Sequence, residues 1–351
     1  SMTIQTTRGC PFRCEFCDII TLYGRKVRSK PIAQVAEELA YLDRIGAERL
    51  YVVDDNFIGN QKYAVELCEA FVDIRKKQKR PFVFSCQATV NITKKPELIR
   101  LLHDAGCRSV FVGIETPRAS SLQETQKTQN TRTDLLNDVE TIQSHGMSLY
   151  SGLMVGFDHD DKGIFREQID FTNDAKIPIP FPVKIGALPG TPLYARMIRE
   201  GRLLPATEFQ ITWKSNIMPK LMTMRELDEG YVAMIQELFD PAAYADRVIG
   251  EMERLNRMKD RMSNYKLPLI YGAFLWVLLW FVFDPNRKRL LGAFFRILPK
   301  ALFRYPKLAD NGLQKLIMYR HICRYVDAAV EGLREDPVPR PTQPQTAEAV
   351  S

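Results

Sequence analysis

The stretch TRGCPFRCEFCD (residues 7–18) places Cys10, Cys14 and Cys17 within eight positions. Thiolates so crowded are ligands for soft metal centres, and two uses compete. A structural zinc ion closes its shell with four Cys or His ligands. Here the closest histidine in sequence is His103 and the closest further cysteine is Cys68. A tetranuclear iron–sulfur cluster needs only three thiolates if each takes one iron, which leaves a fourth iron open to a substrate or cofactor. The other four cysteines, Cys68, Cys86, Cys107 and Cys323, are scattered in apolar surroundings and read as small core residues. An odd total of seven cysteines disfavours a disulfide framework, and the first residues lack the basic and apolar character of a secretory leader. The expected compartment is the reducing cytoplasm.

The elements that must position these thiols follow from hydrophobic periodicity. Six β-branched or apolar runs, at 3–7, 49–55, 81–88, 109–115, 148–156 and 181–188, alternate with helical patterns. One helix is expected at 31–46, with Pro31 in its first turn and Gly46 as its stop; another at 131–146 has Thr131 as cap and Gly146 as stop. Repeated βα units imply a parallel sheet covered by helices. The first loop carries cysteines and no GxGxxG, which disfavours a dinucleotide-binding open sheet, and six units fall short of an eight-unit barrel. The expected fold is α/β, a partial six-unit (β/α) barrel over residues 1–205. Its mouth gathers the residues that follow strands, among them Cys10, Asp54, Asp55, Glu115 and Asp158. Glu115 directly follows an apolar strand, where a core would not accept it unpaired. Asp160 and Asp161 are expected only to cap the helix that follows.

After residue 205 the alternation stops, and 206–335 reads as a mainly helical region. It contains a seventeen-residue uncharged run, LPLIYGAFLWVLLWFVF (267–283), with Pro268 and Gly272 near its start. That length lies at the lower limit of a membrane span, about 17–25 residues, and suits a buried helix or an interfacial segment better. RKRLLGAFFRILPKALFR (287–304) follows with six basic residues and no acidic one. The pair reads as an element docking on the surface of a membrane, at its inner face, rather than as a nucleic-acid site. His321 and Cys323 are two apart, so on a helix they diverge and share no metal. Residues 336–351, rich in Pro and polar residues, read as a disordered tail.

The CxxxCxxC loop after the first strand of a six-unit barrel resembles the radical S-adenosylmethionine superfamily. Taken with VVDDNFIGN, VFVGIET, SGLMVGFD and ALPGTPLYARMIREGRL, it resembles the subgroup that carries cobalamin-binding domains, and FLWVLLWFVF and YRHICRYV resemble a branch containing hopanoid methylases. The resemblance implies a [4Fe-4S] cluster on Cys10, Cys14 and Cys17. S-adenosylmethionine would chelate the open iron and be cleaved by one electron to a 5′-deoxyadenosyl radical. It further implies that Phe16 lies against the adenine, that Asp54, Asp55, Asn56, Gln87 and Glu115 stand at cofactor-facing strand ends, and that Asp158 ends an apolar strand passing beside the adenine. A reductant such as flavodoxin or ferredoxin is implied as partner. The chain shows no Rossmann-like domain before the barrel and no DxHxxG stretch, so either cobalamin is bound by a domain absent from it, which is the expectation, or the protein works without one. The activity expected is C-methylation of an isoprenoid or hopanoid-like molecule. The alternatives are radical oxidation or cyclisation of a porphyrin-like substrate, and a non-catalytic iron–sulfur or zinc module that docks a partner to membranes.

Overall fold

Parallel pairing in strict chain order defines the sheet. The computed structural model describes residues 1–131, 133–204, 213–258 and 267–335. Its strands are β1 (Met2–Ile4), β2 (Thr7–Arg8), β3 (Arg28–Ser29), β4 (Arg49–Val52), β5 (Val83–Ala88), β6 (Cys107–Glu115), β7 (Ser148–Val155) and β8 (Ile179–Lys184). Six of them form one sheet in the order β1-β4-β5-β6-β7-β8, every pair parallel. No strand order reverses, so right-handed crossovers place the helices on one side and the sheet curls around its other face. β1 and β8 do not pair, and the result is the open, six-strand barrel expected.

The first expected strand, 3–7, is in fact divided. Thr6 gives its N–H to Asp54 Oδ1 at 2.6 Å instead of to a strand neighbour. Beyond it, β2 pairs antiparallel with β3, a ribbon that sequence reading missed. The last strand begins earlier than expected, at Ile179, with Pro180 and Pro182 inside it.

Helices α1 (Ile19–Leu22), α2 (Ile32–Arg44), α3 (Gln61–Lys77), α4 (Pro96–Asp104), α5 (Ala119–Glu124), α6 (Leu135–Ser144), α7 (Ile164–Asp174) and α8 (Pro192–Arg199) connect the strands or follow the last. The stops at Gly46 and Gly146 hold, at φ +76° and +79°. The starts need correction. Asp134, not Thr131, caps α6 by accepting from the N–H groups of Leu136 and Asn137, because its shorter reach to the first turn wins. Pro31 stands before α2 with extended ψ rather than inside its first turn. Asp160 does not cap α7; it is fully buried and accepts from the N–H groups of Gly156 and Phe157 and from the Ser121 hydroxyl.

The helical region comprises α9 (Met224–Leu238), α10 (Pro241–Leu255), α11 (Leu267–Val282), α12 (Arg287–Pro299) and α13 (Ala309–Glu335). One apolar core lies between the strands and α2, α3, α4 and α6, and includes Cys68, Cys86 and Cys107; a second joins α7 to α9–α13 and includes Cys323. On α13, His321 is exposed while Cys323 is buried, the divergence their spacing requires. Among the described residues no helix is long and apolar enough to cross a membrane. The expected boundary near 205 and the expected tail 336–351 fall outside the described residues.

Candidate active site

The three cysteines sit in the connection from β2 to β3, at the strand C-terminal end of the barrel. Gly9, at φ +96°, turns the chain into this loop: an added Cβ would stand 2.9 Å from the Lys26 carbonyl oxygen. The end of β4 fixes the approach. Asp54, fully buried, accepts from the Thr6 N–H and from the hydroxyls of Thr6 and Thr7, at 2.5 and 2.8 Å. Asp55 accepts from the Gly9 N–H at 2.8 Å. Asn56 turns its amide nitrogen toward Cys10 Sγ at 3.9 Å and Thr89 Oγ1 at 3.4 Å. Both aspartates are thus engaged with the backbone and side chains leading to Cys10.

Glu15, between Cys14 and Cys17, anchors the other half of the loop. Its N–H donates to the Thr125 carbonyl at 3.0 Å, its carbonyl accepts from Leu193 N–H at 3.1 Å, and its carboxylate takes two bonds from Arg196 at 2.8 and 2.9 Å. Arg196, on α8, also bonds Asp158 at 2.5 Å, and Asp158 receives Arg202 and Lys220 at 2.7 and 2.8 Å. Burial alone would raise the Asp158 carboxyl, but the bonds from Arg202, Lys220 and Arg196 outweigh it and hold it well below the usual range. Asp158 therefore belongs to an ionic clamp on the cysteine loop.

A buried ion pair also lies close to Cys14. A register shift between Gly113 and Glu115 and a left-handed backbone at Glu115 (φ +67°) re-aim that side chain, where it pairs with Lys127. Asn130 and Gln168 hold the shifted strand end by donating to the carbonyls of Gly113, Ile114 and Glu115 at 2.8–3.0 Å. An added Cβ on Gly113 would fall on Glu115 Oε1 and 2.7 Å from Lys127 Nζ, so glycine there makes room for the pair. Burial would lower the Lys127 ammonium, but Glu115 and the Cys14 thiol keep it above its ordinary value. Lys127 Nζ also lies 5.7 Å from the centre of the Phe16 ring, which packs on Phe157. Gln87, half-buried on β5, donates to the Tyr51 hydroxyl at 3.0 Å, and its backbone carbonyl accepts from the Phe57 N–H at 2.8 Å.

The thiols sit in mixed company. Burial pushes the Cys17 thiol up to about 11. It raises Cys14 too, against the pull of Lys127 and of Gln129, whose amide donates to Cys14 Sγ at 3.6 Å. Metal ligation needs the thiolate; Lys127 and Gln129 favour it at Cys14, and the Ile19 backbone N–H favours it at Cys17. Three donor-rich amides here also carry spare acceptors: Asn56 Oδ1, Gln129 Oε1 and Asn130 Oδ1 are buried and accept no hydrogen bond among the described residues. Among those residues no three His, Cys, Asp or Glu side chains converge as a single metal ion would require. A cluster asks for a different disposition, one thiolate per iron, and the three thiols with amide donors beside two of them fit it.

A family model described as the radical SAM superfamily matches residues 4–171. Residues 4–171 form a radical SAM domain. A second model, described only as a domain of unknown function (DUF4070), matches residues 191–335. An uncharacterised methyltransferase of Synechocystis is 37% identical over 284 residues, 80% of this chain and 53% of the relative. The hopanoid C-2 methylase of Rhodopseudomonas palustris is 40% identical over 203 residues, 58% of this chain and 38% of that protein. The chain thus spans about half, or less, of the length of these relatives. The radical SAM methyltransferase TsrM of Kitasatospora setae, solved with cobalamin and a [4Fe-4S] cluster bound, shares the fold at a TM-score of 0.57 and 17% identity, over 73% of this chain and 59% of that one.

Sequence reading had brought forward Cys10, Cys14, Cys17, Phe16, Asp54, Asp55, Asn56, Glu115 and Asp158, and the radical SAM domain gathers them at one end of its barrel. It missed Glu15, Lys127, Gln129 and Arg196. The signal for the first was its position between two cysteines; for Lys127 and Gln129 it was a polar run, ETQKTQN, too long for the turn it occupies.

Proposed function

We propose that this chain is the catalytic portion of a radical S-adenosylmethionine methyltransferase, with Cys10, Cys14 and Cys17 as ligands of a [4Fe-4S] cluster. The observation that carries the reading is the set of three thiols flanked by buried amides with spare acceptors and by a buried Glu115–Lys127 pair. When bound, the cluster and S-adenosylmethionine supply one-electron cleavage of a sulfur–carbon bond, and with it a carbon radical able to take hydrogen from an unactivated carbon.

The chain's own residues bind and orient. Asn56 and Gln129 donate toward Cys10 and Cys14. Lys127 supplies a positive charge and Glu115 a negative one, a complement to the carboxylate and amino groups of an amino acid moiety. The half-buried Phe16 ring offers a face for the adenine. The Arg196 clamp holds the loop shut against exchange with solvent. Cobalamin dependence is supported by TsrM's bound cofactor, with the corrin carried by a segment outside this chain. A hydrophobic, isoprenoid or hopanoid-like substrate is supported by the hopanoid methylase relative. A peripheral place on the inner face of the membrane is supported by exposed Leu275, Trp276, Phe283, Phe295 and Phe303 beside basic Arg296, Lys300 and Arg304. A low-potential reductant such as flavodoxin or ferredoxin completes the requirements.

The test is anaerobic reconstitution with iron and sulfide, reduction in the presence of S-adenosylmethionine, and assay of 5′-deoxyadenosine. Product from the unaltered chain and none from Cys14→Ala is expected. Zinc without iron and sulfide after reconstitution would replace this reading with that of a metal-stabilised docking module.

A further inference from the structure

The open side of the barrel carries an apolar cleft of about 410 Å³ between β8 and α13. Its walls include Ile179, Phe181, Phe239, Met318, Ile322 and Tyr325. Two features of β8 make this wall unsuited to a polar ligand. β8 is the last strand, and residues 180 and 182 have the parity that faces its free edge, since Ile185 is bonded back to Val155 on β7. Prolines occupy both positions, so neither has an N–H to offer. The Pro182 carbonyl on that edge already accepts from the Tyr231 hydroxyl at 3.0 Å, and the Tyr325 hydroxyl is spent on Tyr231 at 2.7 Å. A sheet edge is ordinarily a row of donors and acceptors; here both proline positions lack the donor, and the Pro182 acceptor is taken. The remaining ionisable group on the wall is His321, exposed at the rim.

The cleft continues into the barrel. The Phe181 ring stands 5.8 Å from Phe111 and 6.5 Å from Tyr150, centre to centre, and the Tyr150 hydroxyl meets Met318 Sδ at 3.8 Å. Phe181 is paired in register with Gly152. A Cβ at Gly152 would touch the Phe111 ring at 3.3 Å and Glu115 Oε2 at 3.4 Å. From the cleft to the Glu115–Lys127 pair, the path is therefore one aromatic ring and one glycine.

We infer that this cleft holds the uncharged aliphatic or alicyclic part of the substrate, laid along β8 with its reacting carbon directed past Gly152 toward the cysteine end. This rests on the reading of the chain as a radical methyltransferase of a hydrophobic molecule, and gives that molecule its binding site. An apolar ligand is favoured because burial against these walls releases water from both surfaces, while a polar one would lose hydrogen bonds that the wall does not replace.

The experiment is photolabelling of the full chain with an uncharged long-chain alkyl diazirine, followed by peptide mapping. Adducts are expected on peptides containing 179–183 and 318–325, saturable by excess unlabelled squalene. Ile322→Trp, which fills the cleft, should cut that labelling at least about tenfold, with the thermal melt recorded to show that the variant folds. Should it not fold, squalene competition on the unaltered chain decides alone. Adducts confined to the exposed face of α11, or labelling that squalene does not reduce, would overturn the assignment. Labelling needs neither cluster nor S-adenosylmethionine. Its failure leaves the radical reading standing, and absent 5′-deoxyadenosine leaves the cleft standing.

Discussion

Arg196 is the residue on which the cysteine loop depends most. Its guanidinium closes a fork on Glu15 and reaches Asp158 with the same side chain. Bidentate pairing of this kind is geometry-specific, and lysine cannot reproduce it. Arg196→Lys is therefore expected to lower iron and sulfide retained per chain after gel filtration, and Arg196→Ala to lower it further. Stability should fall on the order of 2 kcal/mol as Glu15 and Asp158 lose a charged donor. Asp160 gives a pH prediction. Burial lifts its carboxyl to about 6, above the ordinary 3.8, despite bonds from Ser121, Gly156 and Phe157. Between those values the folded chain holds more protons at this site than the unfolded chain does, so unfolding free energy falls as pH rises through the interval. Relative to Asp160→Asn, the unaltered chain should lose up to about 3 kcal/mol between pH 4 and pH 7. Urea titrations of both proteins across that range check the sign, and an unaltered chain that holds or gains stability relative to Asp160→Asn as pH rises would refute it.

At the scale of elements, most of the barrel was legible because burial imposes a period on the sequence. The runs around β4, β5, β6 and β7 are rich in apolar and β-branched residues and bury alternate positions, and Gly46, Gly106 and Gly146 mark the stops of α2, α4 and α6. What the sequence did not disclose depends on contacts remote along the chain. The break between β1 and β2 follows from Asp54 capturing Thr6, across 48 positions. The cap at Asp134 displaced Thr131 because both types cap well and only geometry chooses. Glu115 was found from its place at a strand end, but its partner Lys127 lies in a loop with no periodicity to read. The helix α11 shows the same limit. Its uncharged run suited burial, interface or span, and the structure divides it: Ile270, Phe274, Val277 and Phe281 are buried, while Leu275, Trp276 and Leu279 stay exposed. That two-faced outcome predicts adsorption. Vesicles containing anionic lipid should co-sediment the chain more than neutral vesicles do, and Trp276→Ser with Phe303→Ser should reduce the bound fraction several-fold. Equal recovery with and without anionic lipid would remove the membrane from the account.

For the molecule as a whole, the helical region is welded to the barrel rather than hung from it. Arg196, which clamps the cysteine loop, lies in the region matched by the domain of unknown function. At the other end of the barrel, Glu251 on α10 accepts from the Leu149 N–H at 3.2 Å, and Asn311 on α13 donates to Ser148 at 2.9 Å. Lys315 pairs with Glu251 at 3.4 Å, both fully buried, and lies 4.3 Å over the Tyr150 ring. A pair sealed this deeply is poor evidence of net stabilisation, yet removing one partner strands the other charge away from water. Lys315→Met should therefore cost about 3–5 kcal/mol, and Lys315→Met combined with Glu251→Gln, which keeps an acceptor for Leu149, should recover a good part of it. If barrel and helices are one cooperative unit, the loss will appear as a shift of a single transition, followed alike by far-ultraviolet and near-ultraviolet circular dichroism. Two separated transitions, with only the earlier one moved, would mean that the barrel stands without its helical floor.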